Sequence, residues 1–192
     1  MASFGAKCPV FAPFASTYTG TGTPTYDDKV TIGRLVKADL TVTLATGELY
    51  SDDVLSEQVS EFASGQIAME TDDMLDSVAA VVYGAEVDSK LVTYKSTDAP
   101  PYGGLVYYKV LQRNGKRLYK GYFYPKAKAA LGNDTAQTRT NSITFGTTAT
   151  TFTVFPLDDG TWRQTQEFAT ETEAKAWVNE KLAKATAENL GG

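Results

Sequence analysis

The fold prediction depends on residues 102–126, YGGLVYYKVLQRNGKRLYKGYFYPK. Two runs of aromatic, β-branched and aliphatic residues flank Asn114-Gly115, a dipeptide that supplies the two positive-φ positions of a type I′ turn. Turn type and loop length fix the register of a hairpin, so the residues at equal distance from this turn face each other. The predicted pairs are Arg113 with Lys116, Leu111 with Leu118, Lys109 with Lys120, Tyr107 with Tyr122, and Leu105 with Tyr124.

The two faces of this hairpin differ in character. One face is apolar and is predicted to point to the core; it carries Val106, Tyr108, Val110, Tyr119 and Phe123. The other face sets Lys109 directly against Lys120, and opposed like charges destabilise a strand pair. We therefore expect acidic groups near these two lysines, supplied by the acidic first half of this chain or of a second copy.

The charge is unevenly distributed along the chain. Residues 1–100 hold 15 Asp or Glu against 6 Lys or Arg, a net −9, whereas residues 101–192 carry a net +4. Such asymmetry indicates a polar partner, and it suits a protein that meets copies of itself, acidic surface to basic surface. The alternative is that the two halves neutralise each other within one fold.

The composition favours a globular protein without catalytic machinery. The 192 residues hold 42% hydrophobic and 21% charged side chains, as is usual for a soluble domain. No apolar run approaches the roughly 20 residues of a membrane span, and no signal peptide is expected. There is no histidine, and Cys8 is the only cysteine, so the commonest general base and metal ligand is missing. We expect no enzyme activity, catalytic residue, metal or cofactor.

Two pairs of adjacent aspartates are candidate carboxylate sites. Neighbouring residues on a strand point to opposite faces, so neither Asp52-Asp53 nor Asp72-Asp73 converges on a ligand without a turn. Asp72 is assigned instead to capping a helix over residues 72–83, which Gly84 ends. A second helix over residues 170–184 begins with a capping box formed by Thr170 and Glu173.

The amino-terminal residues are predicted to form an arm and a tether. Residues 1–14 are apolar but interrupted by Pro9 and Pro13, and residues 15–29 are rich in Thr, Gly and Ser, which is typical of a flexible linker. The arm is expected to dock on a neighbour through Phe4, Phe11 and Phe14. An equally supported alternative is a strand that covers the chain's own core.

The remaining segments predict a mainly β fold. Residues 30–50 alternate as a long half-buried strand that turns at Thr46-Gly47, and residues 56–71 form a second hairpin around Ser64-Gly65. Further strands are expected at 86–95, 142–156 and 162–168. We predict two packed antiparallel sheets, sandwich-like or barrel-like, flanked by one central helix and a carboxy-terminal helix, in one domain over residues 30–186 with a frayed tail at 187–192.

A long polar loop is expected over residues 126–141. Long loops in compact domains are usually functional or disordered, and this one, which includes Lys126, Lys128 and Arg139, is predicted to be mobile in the free subunit. The polar positions of the predicted acidic strands form a second candidate surface. Its members are Asp39, Glu57, Glu61 and Glu70.

Two other functions remain open on the residues alone. Nucleic-acid binding is suggested by a basic hairpin whose members are Lys109, Arg113, Lys116, Arg117 and Lys120. Lys120–Tyr124 is similar to a signature of RNA-recognition modules, in which Tyr122 and Tyr124 would stack on bases. The match fails at Pro125, and the order of elements differs. The second alternative is a β-sandwich that binds a small ligand or carbohydrate.

The order of the segments resembles the major tail protein family of long, non-contractile bacteriophage tails. The likeness covers nearly the whole chain: FGAKCPVFAP at 4–13, IGRLVKADLTV at 32–42, the acidic stretch 49–62, the Asn-Gly hairpin ending in YPK, and FATETEAKAWVNEKL at 168–182. None of these segments is diagnostic alone; their order carries the resemblance.

The resemblance implies a tail tube subunit that is a structural virion protein. Six copies would form a ring, one sheet of each would line a lumen, and stacked rings would conduct DNA as a non-adhesive cargo. Loops and terminal arms would carry the contacts between rings, which assigns the loop residues Lys126, Lys128 and Arg139 to assembly. The implied partners are further copies of the chain and other tail proteins, namely the tape measure, the tail terminator and the baseplate or tip. The implied location is the virion, with the host cytoplasm before assembly. Asp39, Glu57, Glu61 and Glu70 are the candidates for the lumen, where they would repel phosphates; the alternative for each is ordinary solvent exposure.

Overall fold

The computed structural model describes residues 2–89, 91–130 and 146–184. Within these ranges the chain is mainly β, which confirms the predicted class. The strands are β1 (Ala2–Pro13), β2 (Val30–Thr31), β3 (Leu35–Ser51), β4 (Val54–Thr71), β5 (Glu86–Asp88), β6 (Leu91–Thr93), β7 (Tyr102–Arg113), β8 (Lys116–Ala130), β9 (Thr148–Val154) and β10 (Gln164–Phe168). Two helices flank them: α1 (Asp76–Tyr83) and α2 (Glu171–Lys181).

One large antiparallel sheet forms the body of the molecule, and β5 and β6 form a small second sheet. The order in the large sheet is β2-β1-β7-β8-β9-β4-β3, and β10 pairs with the first half of β8. The sheet curls, so that β1 and β3 contact each other although they lie far apart in this order. A core cluster fills the curl, and α2 covers a second cluster on the opposite side of β7 and β8.

The central hairpin has the predicted register at all five predicted pairs. Asn114 and Gly115 have φ of 51° and 76°, the left-handed values that a type I′ turn requires. Of the predicted core face, Val106, Tyr108 and Phe123 are buried beneath α2. The opposite face is also buried, because Leu105 and Tyr107 lie inside the curl with Phe11 and Phe152.

The two helices test the predicted caps differently. At α2 the capping box is confirmed, since the Thr170 amide donates to the Glu173 carboxylate and the Glu173 amide donates to Thr170 Oγ1. At α1 the predicted cap is wrong: the helix begins at Asp76 after Leu75, without a side-chain cap. Asp72 Oδ1 instead accepts the amides of Arg34 and Asp73 at 2.8 and 2.9 Å. Gly84 ends α1 with a φ of 74°, as predicted.

The amino-terminal residues form a strand of the large sheet, which is the alternative to the predicted arm. β1 pairs with β7 along its length, with register shifts at Phe4/Ala6 and at Lys7/Val10. Pro9 lies in the second shift, where a missing N–H removes no ladder bond. Bulges therefore accommodate a proline that would otherwise weaken an interior strand.

The segment 15–29, predicted as a flexible linker, is anchored to the domain by Tyr26, although most of residues 16–23 are exposed. Tyr26 is 3% exposed, and its hydroxyl donates to the Pro125 carbonyl at 2.8 Å. The rings of Tyr18 and Tyr26 pack against Phe14 at 4.7 and 5.7 Å between centroids. The expected domain boundary at residue 29 is thus not a boundary in the packing.

The acidic segment forms one long hairpin instead of the two that were predicted. Asp52 and Asp53 make its turn, with φ of 53° and 61°. The predicted turn at Thr46-Gly47 lies within β3 opposite Ser60 and Val59, and the one at Ser64-Gly65 lies within β4. Glycine is common in turns, so a glycine inside a strand is easily predicted as a turn. Here the strands continue through both Gly47 and Gly65.

Candidate assembly surface on the long hairpin

The long hairpin extends beyond the sheet that supports it. β9 pairs with β4 only from Gly65 to Thr71, whereas β3 and β4 stay paired to the tip. The outer part, residues 43–61, is therefore a two-stranded ribbon, and we call it the ribbon. At its base the rings of Phe62 and Trp162 stack with centroids 4.2 Å apart and 5° between planes.

The ribbon exposes large apolar side chains on both faces. Six of them are between 45% and 66% exposed: Leu44, Leu49, Tyr50, Val54, Leu55 and Val59. A two-stranded hairpin alone is marginally stable in water, and contiguous exposed apolar surface marks interaction sites. Such a ribbon is stabilised by any partner that covers it.

The four acidic candidates lie on one face of the long hairpin. The register sets Glu70 opposite Lys37, and it sets Asp39, Glu61 and Glu57 opposite Ala68, Ala45 and Leu49. This face is the outer one, since the alternate positions Ala38, Ile67 and Met69 are buried in the core. Asp39 pairs with Lys37 at 2.7 Å; among the described residues the three glutamates form no ion pair. Their position in a lumen stays a prediction.

The other face of the ribbon carries a small polar network. Glu48 accepts hydrogen bonds from the Tyr50 hydroxyl at 3.0 Å and from Gln58 Nε2 at 3.3 Å. Leu44 and Leu55 flank this network. The two faces therefore differ. The outer face carries apolar side chains and carboxylates that form no ion pair among the described residues, whereas on the other face the Glu48 carboxylate already accepts two hydrogen bonds.

Lys126 and Lys128 belong to a strand, which corrects the loop predicted to begin at residue 126. Both lie in β8, and their ammonium groups lie 5.6 and 5.1 Å from the centre of the Tyr102 ring. Alternate residues Ala127 and Ala129 are buried, so the lysines share the outer face with the acidic candidates. Neither lysine pairs with a carboxylate in the described ranges. Arg139, with residues 131–145, lies outside the described residues.

The three phenylalanines predicted for docking have different environments. Phe11 is completely buried in the core inside the curl, so it is a core residue of its own chain. Phe14 is partly buried against Tyr18 and Tyr26. Phe4 is 46% exposed, with the Arg117 guanidinium 5.9 Å from its ring centre. Of the three, Phe4 is the one that presents a large surface to a neighbour.

The acidic group expected near Lys109 and Lys120 is Glu167 of β10. Glu167 pairs with Arg113 at 3.2 Å and with Lys120 at 3.8 Å. Lys109 lies over the rings of Tyr107 and Tyr122 and donates to the Ala38 carbonyl at 3.4 Å. The partner is thus internal and comes from the basic half of the chain, which corrects the expected origin in the acidic half or in a second copy.

The basic hairpin does not form one cationic strip. Arg117 lies on the opposite face from Lys109 and Lys120, next to Phe4, and Lys116 follows the turn. Tyr124, expected to stack on a base, is 1% exposed; burial raises the pKa of its hydroxyl. A nucleotide could reach this ring only if the hairpin opened.

A groove of about 800 Å³ lies near the end of α2, where Tyr26, Phe123 and Pro125 form part of its wall. Its two lysines already have partners, because Lys181 donates to Gln164 and Lys184 pairs with Asp28.

In the described residues, no group of three Asp, Glu or Cys side chains is arranged to hold a metal ion, and there is no helix with the length and apolar character needed to cross a membrane. When the chain was compared with models of known protein families and with curated proteins, nothing matched.

Proposed function

We propose that this chain is a structural, self-assembling subunit whose copies form rings that stack into a tube. The ribbon is the observation that carries the proposal, because it exposes apolar side chains on two faces that no other part of the described chain covers. The resemblance to tail tube proteins gives the assembly its form: a hexameric ring and a DNA-conducting tube in a virion, with other tail proteins at its ends.

The energy available from covering the ribbon is large enough to drive association. Full burial of a large apolar side chain contributes about 1.5–3 kcal/mol. Six side chains that are roughly half exposed therefore offer on the order of 5–9 kcal/mol per subunit before the costs of association. In a ring every subunit would both donate a ribbon and receive one.

The edges of the sheet support the same proposal. β3 is the last strand in the sheet order, and along the ribbon its outer edge has no strand partner among the described residues. A long free edge invites pairing with another chain, and closed assemblies remove such edges. A ring is one way to occupy the edge of every copy.

The acidic outer face suits a passage for DNA. Phosphates are repelled by a carboxylate such as that of Glu70, which forms no ion pair among the described residues, and a surface field of one sign acts along a whole channel. This supports DNA as a cargo that does not adhere.

Sedimentation velocity and negative-stain microscopy over a range of concentrations test the proposal. We expect rings or tubes from the full chain. A ribbon variant with Leu49, Tyr50, Val54 and Leu55 each changed to Ser is expected to stay monomeric, with an unchanged urea midpoint in dilute solution. The matched control changes the exposed Val87 and Leu91 of the small sheet to Ser and is expected to assemble. A wild-type chain that is monomeric at every concentration, or a ribbon variant that assembles normally, would contradict the proposal.

A further inference from the structure

We propose that the acidic outer face of the ribbon binds a basic surface patch on a second copy of this chain. The patch consists of Lys126, Lys128 and the Tyr102 ring beneath them, and we call it the pad. The inference rests on the proposed self-assembly and adds to it the identity of the receiving surface.

The donating surface is an acidic and apolar stripe on β4. Glu57, Val59 and Glu61 occupy alternate positions of the strand, so all three point to the outer face, with Leu49 beside them on β3. Alternate residues of a strand are about 6.8 Å apart. Val59 and Leu49 are 50% and 58% exposed. The stripe thus presents a carboxylate, an apolar side chain and a second carboxylate at regular spacing.

The receiving surface has the opposite charge. Lys126 and Lys128 are alternate residues of one strand, so their Cα atoms lie about 6.8 Å apart, against about 13.6 Å for Glu57 and Glu61. The flexible four-carbon stems of the two lysines can span this difference. The Tyr102 ring lies 5.6 and 5.1 Å from their ammonium groups, and the Phe155 ring packs edge-on against it, 5.6 Å away. Two cations held against an aromatic ring lose less conformational freedom on pairing than two free lysines would.

An apolar recess lies beside the pad. It has a volume of about 320 Å³, and Pro100, Ala129 and Phe155 are among the residues that line it, next to Lys128. A valine or leucine side chain is small enough to enter such a recess. Val59 or Leu49 of the neighbour would therefore be buried beside the ion pairs, which shields them from solvent screening.

The stripe and the pad of one chain form no ion pair with each other among the described residues. The register places Gln66, Thr153 and Lys128 in one row across β4, β9 and β8. Glu61 lies five residues along β4 from Gln66, which corresponds to about 15 Å of strand. The proposed contact therefore joins two copies. Because donor and acceptor are different patches, it is a head-to-tail contact, the type that closes into rings or continues into filaments.

A charge-swap experiment tests the pairing. The stripe variant carries Glu57→Lys and Glu61→Lys, and the pad variant carries Lys126→Glu and Lys128→Glu. Neither is expected to assemble alone, since each presents like charges at every contact. Their equimolar mixture is expected to form assemblies that contain both, and the chain with all four changes is expected to assemble alone. The control, Asp88→Lys with Glu180→Lys, changes the net charge by as much as the stripe variant does and is expected to assemble normally.

The outcomes separate this inference from the proposed function. If wild type assembles and the stripe or pad variant assembles equally well, the pairing is overturned while assembly through the ribbon stands. If the stripe and pad variants are folded but stay monomeric when mixed, and the chain with all four substitutions is also monomeric, the pairing is overturned as well. If wild type itself never assembles, both proposals fail. Should a reversed variant not fold, changing the same residues to Gln must raise the concentration needed for assembly by about tenfold; no rise overturns the pairing.

Discussion

Two long hairpins in this chain have similar local chemistry and opposite environments. β7 and β8 turn at Asn114-Gly115, and β3 and β4 turn at Asp52-Asp53, in each case through two residues with positive φ. Tyr107 of the first hairpin is 1% exposed, whereas Tyr50 of the second is 61% exposed. The same building unit is thus used once to hold the subunit together and once to extend beyond it.

The difference comes from the neighbouring strands. β7 and β8 lie between β1 on one side and β9 and β10 on the other, with α2 over one face and the interior of the curl over the other. β4 has 18 residues, but its neighbour β9 has only 7. Beyond the end of β9 nothing in the described chain supports the ribbon, so its stability depends on what covers it.

The largest expected effect compares two tyrosines. Tyr107→Ala leaves a cavity in the core inside the curl and removes the hydroxyl contact with Tyr124 at 3.3 Å, so we expect it to lower the free energy of unfolding by about 3–5 kcal/mol. Tyr50→Ala is expected to change it by less than about 0.5 kcal/mol while weakening assembly. Urea unfolding of dilute monomer measures the first effect, and sedimentation measures the second.

The comparison would break if Tyr50→Ala destabilised the dilute monomer as strongly as Tyr107→Ala. That result would show that the ribbon folds back on its own chain in solution, and it would remove the main support for assembly through the ribbon.

A smaller effect is expected from two strand glycines. A Cβ at Gly121 would lie 2.5 Å from the Trp177 ring of α2, whereas a Cβ at Gly47 would meet nothing within 4 Å. Gly121→Val should therefore cost about 1–3 kcal/mol through overpacking. Gly47→Val should be neutral or slightly stabilising, because β-branched residues favour strands. Thermal unfolding of both variants beside wild type measures the contrast. Equal losses would mean that the ribbon is packed as tightly as the hairpin under α2.

The first hairpin could be predicted from the sequence because its information is local. Asn114-Gly115 is a strong turn signal, and the register follows from it without reference to any other segment. The second hairpin was divided incorrectly because Thr46-Gly47 and Ser64-Gly65 resemble turns more closely than Asp52-Asp53 does. Only the pairing of the whole of β3 with β4 shows that the outer turn is used.

Contacts distant in sequence could not be predicted. Glu167 reaches Lys120 because β10 pairs with β8, and no local sequence pattern predicts which strand β10 pairs with. The strand character of β1 depends on bulges that absorb Pro9, which the sequence shows only as an interruption. The acidic face is predictable, because Asp39, Glu57, Glu61 and Glu70 occupy polar strand positions in the acidic half of the chain. The contact of Lys126 and Lys128 with the Tyr102 ring is not predictable, because it depends on how the strands pair in the sheet.

The smallest expected effect is the pH dependence of the stability that the contact between β7 and α2 contributes. Glu171 accepts from the Tyr108 hydroxyl at 2.7 Å and from Lys7 at 3.2 Å, and these hydrogen bonds lower its pKa below the ordinary value of 4.5. A carboxylate with a lowered folded-state pKa contributes stability above the unfolded-state value and loses it as the pH falls through the folded-state value. The difference in unfolding free energy between wild type and Glu171→Gln should therefore be constant near neutral pH and shrink below about pH 4.5.

Tyr108→Phe sharpens this test, because it removes the first cause of the shift and should raise the Glu171 pKa in an NMR titration. Glu57→Gln is the matched change on the ribbon. Its side chain has no partner among the described residues, so the monomer should unfold as wild type does, and an equal response at Glu57 and Glu171 would contradict the division between a hairpin that stabilises the subunit and one that faces a partner.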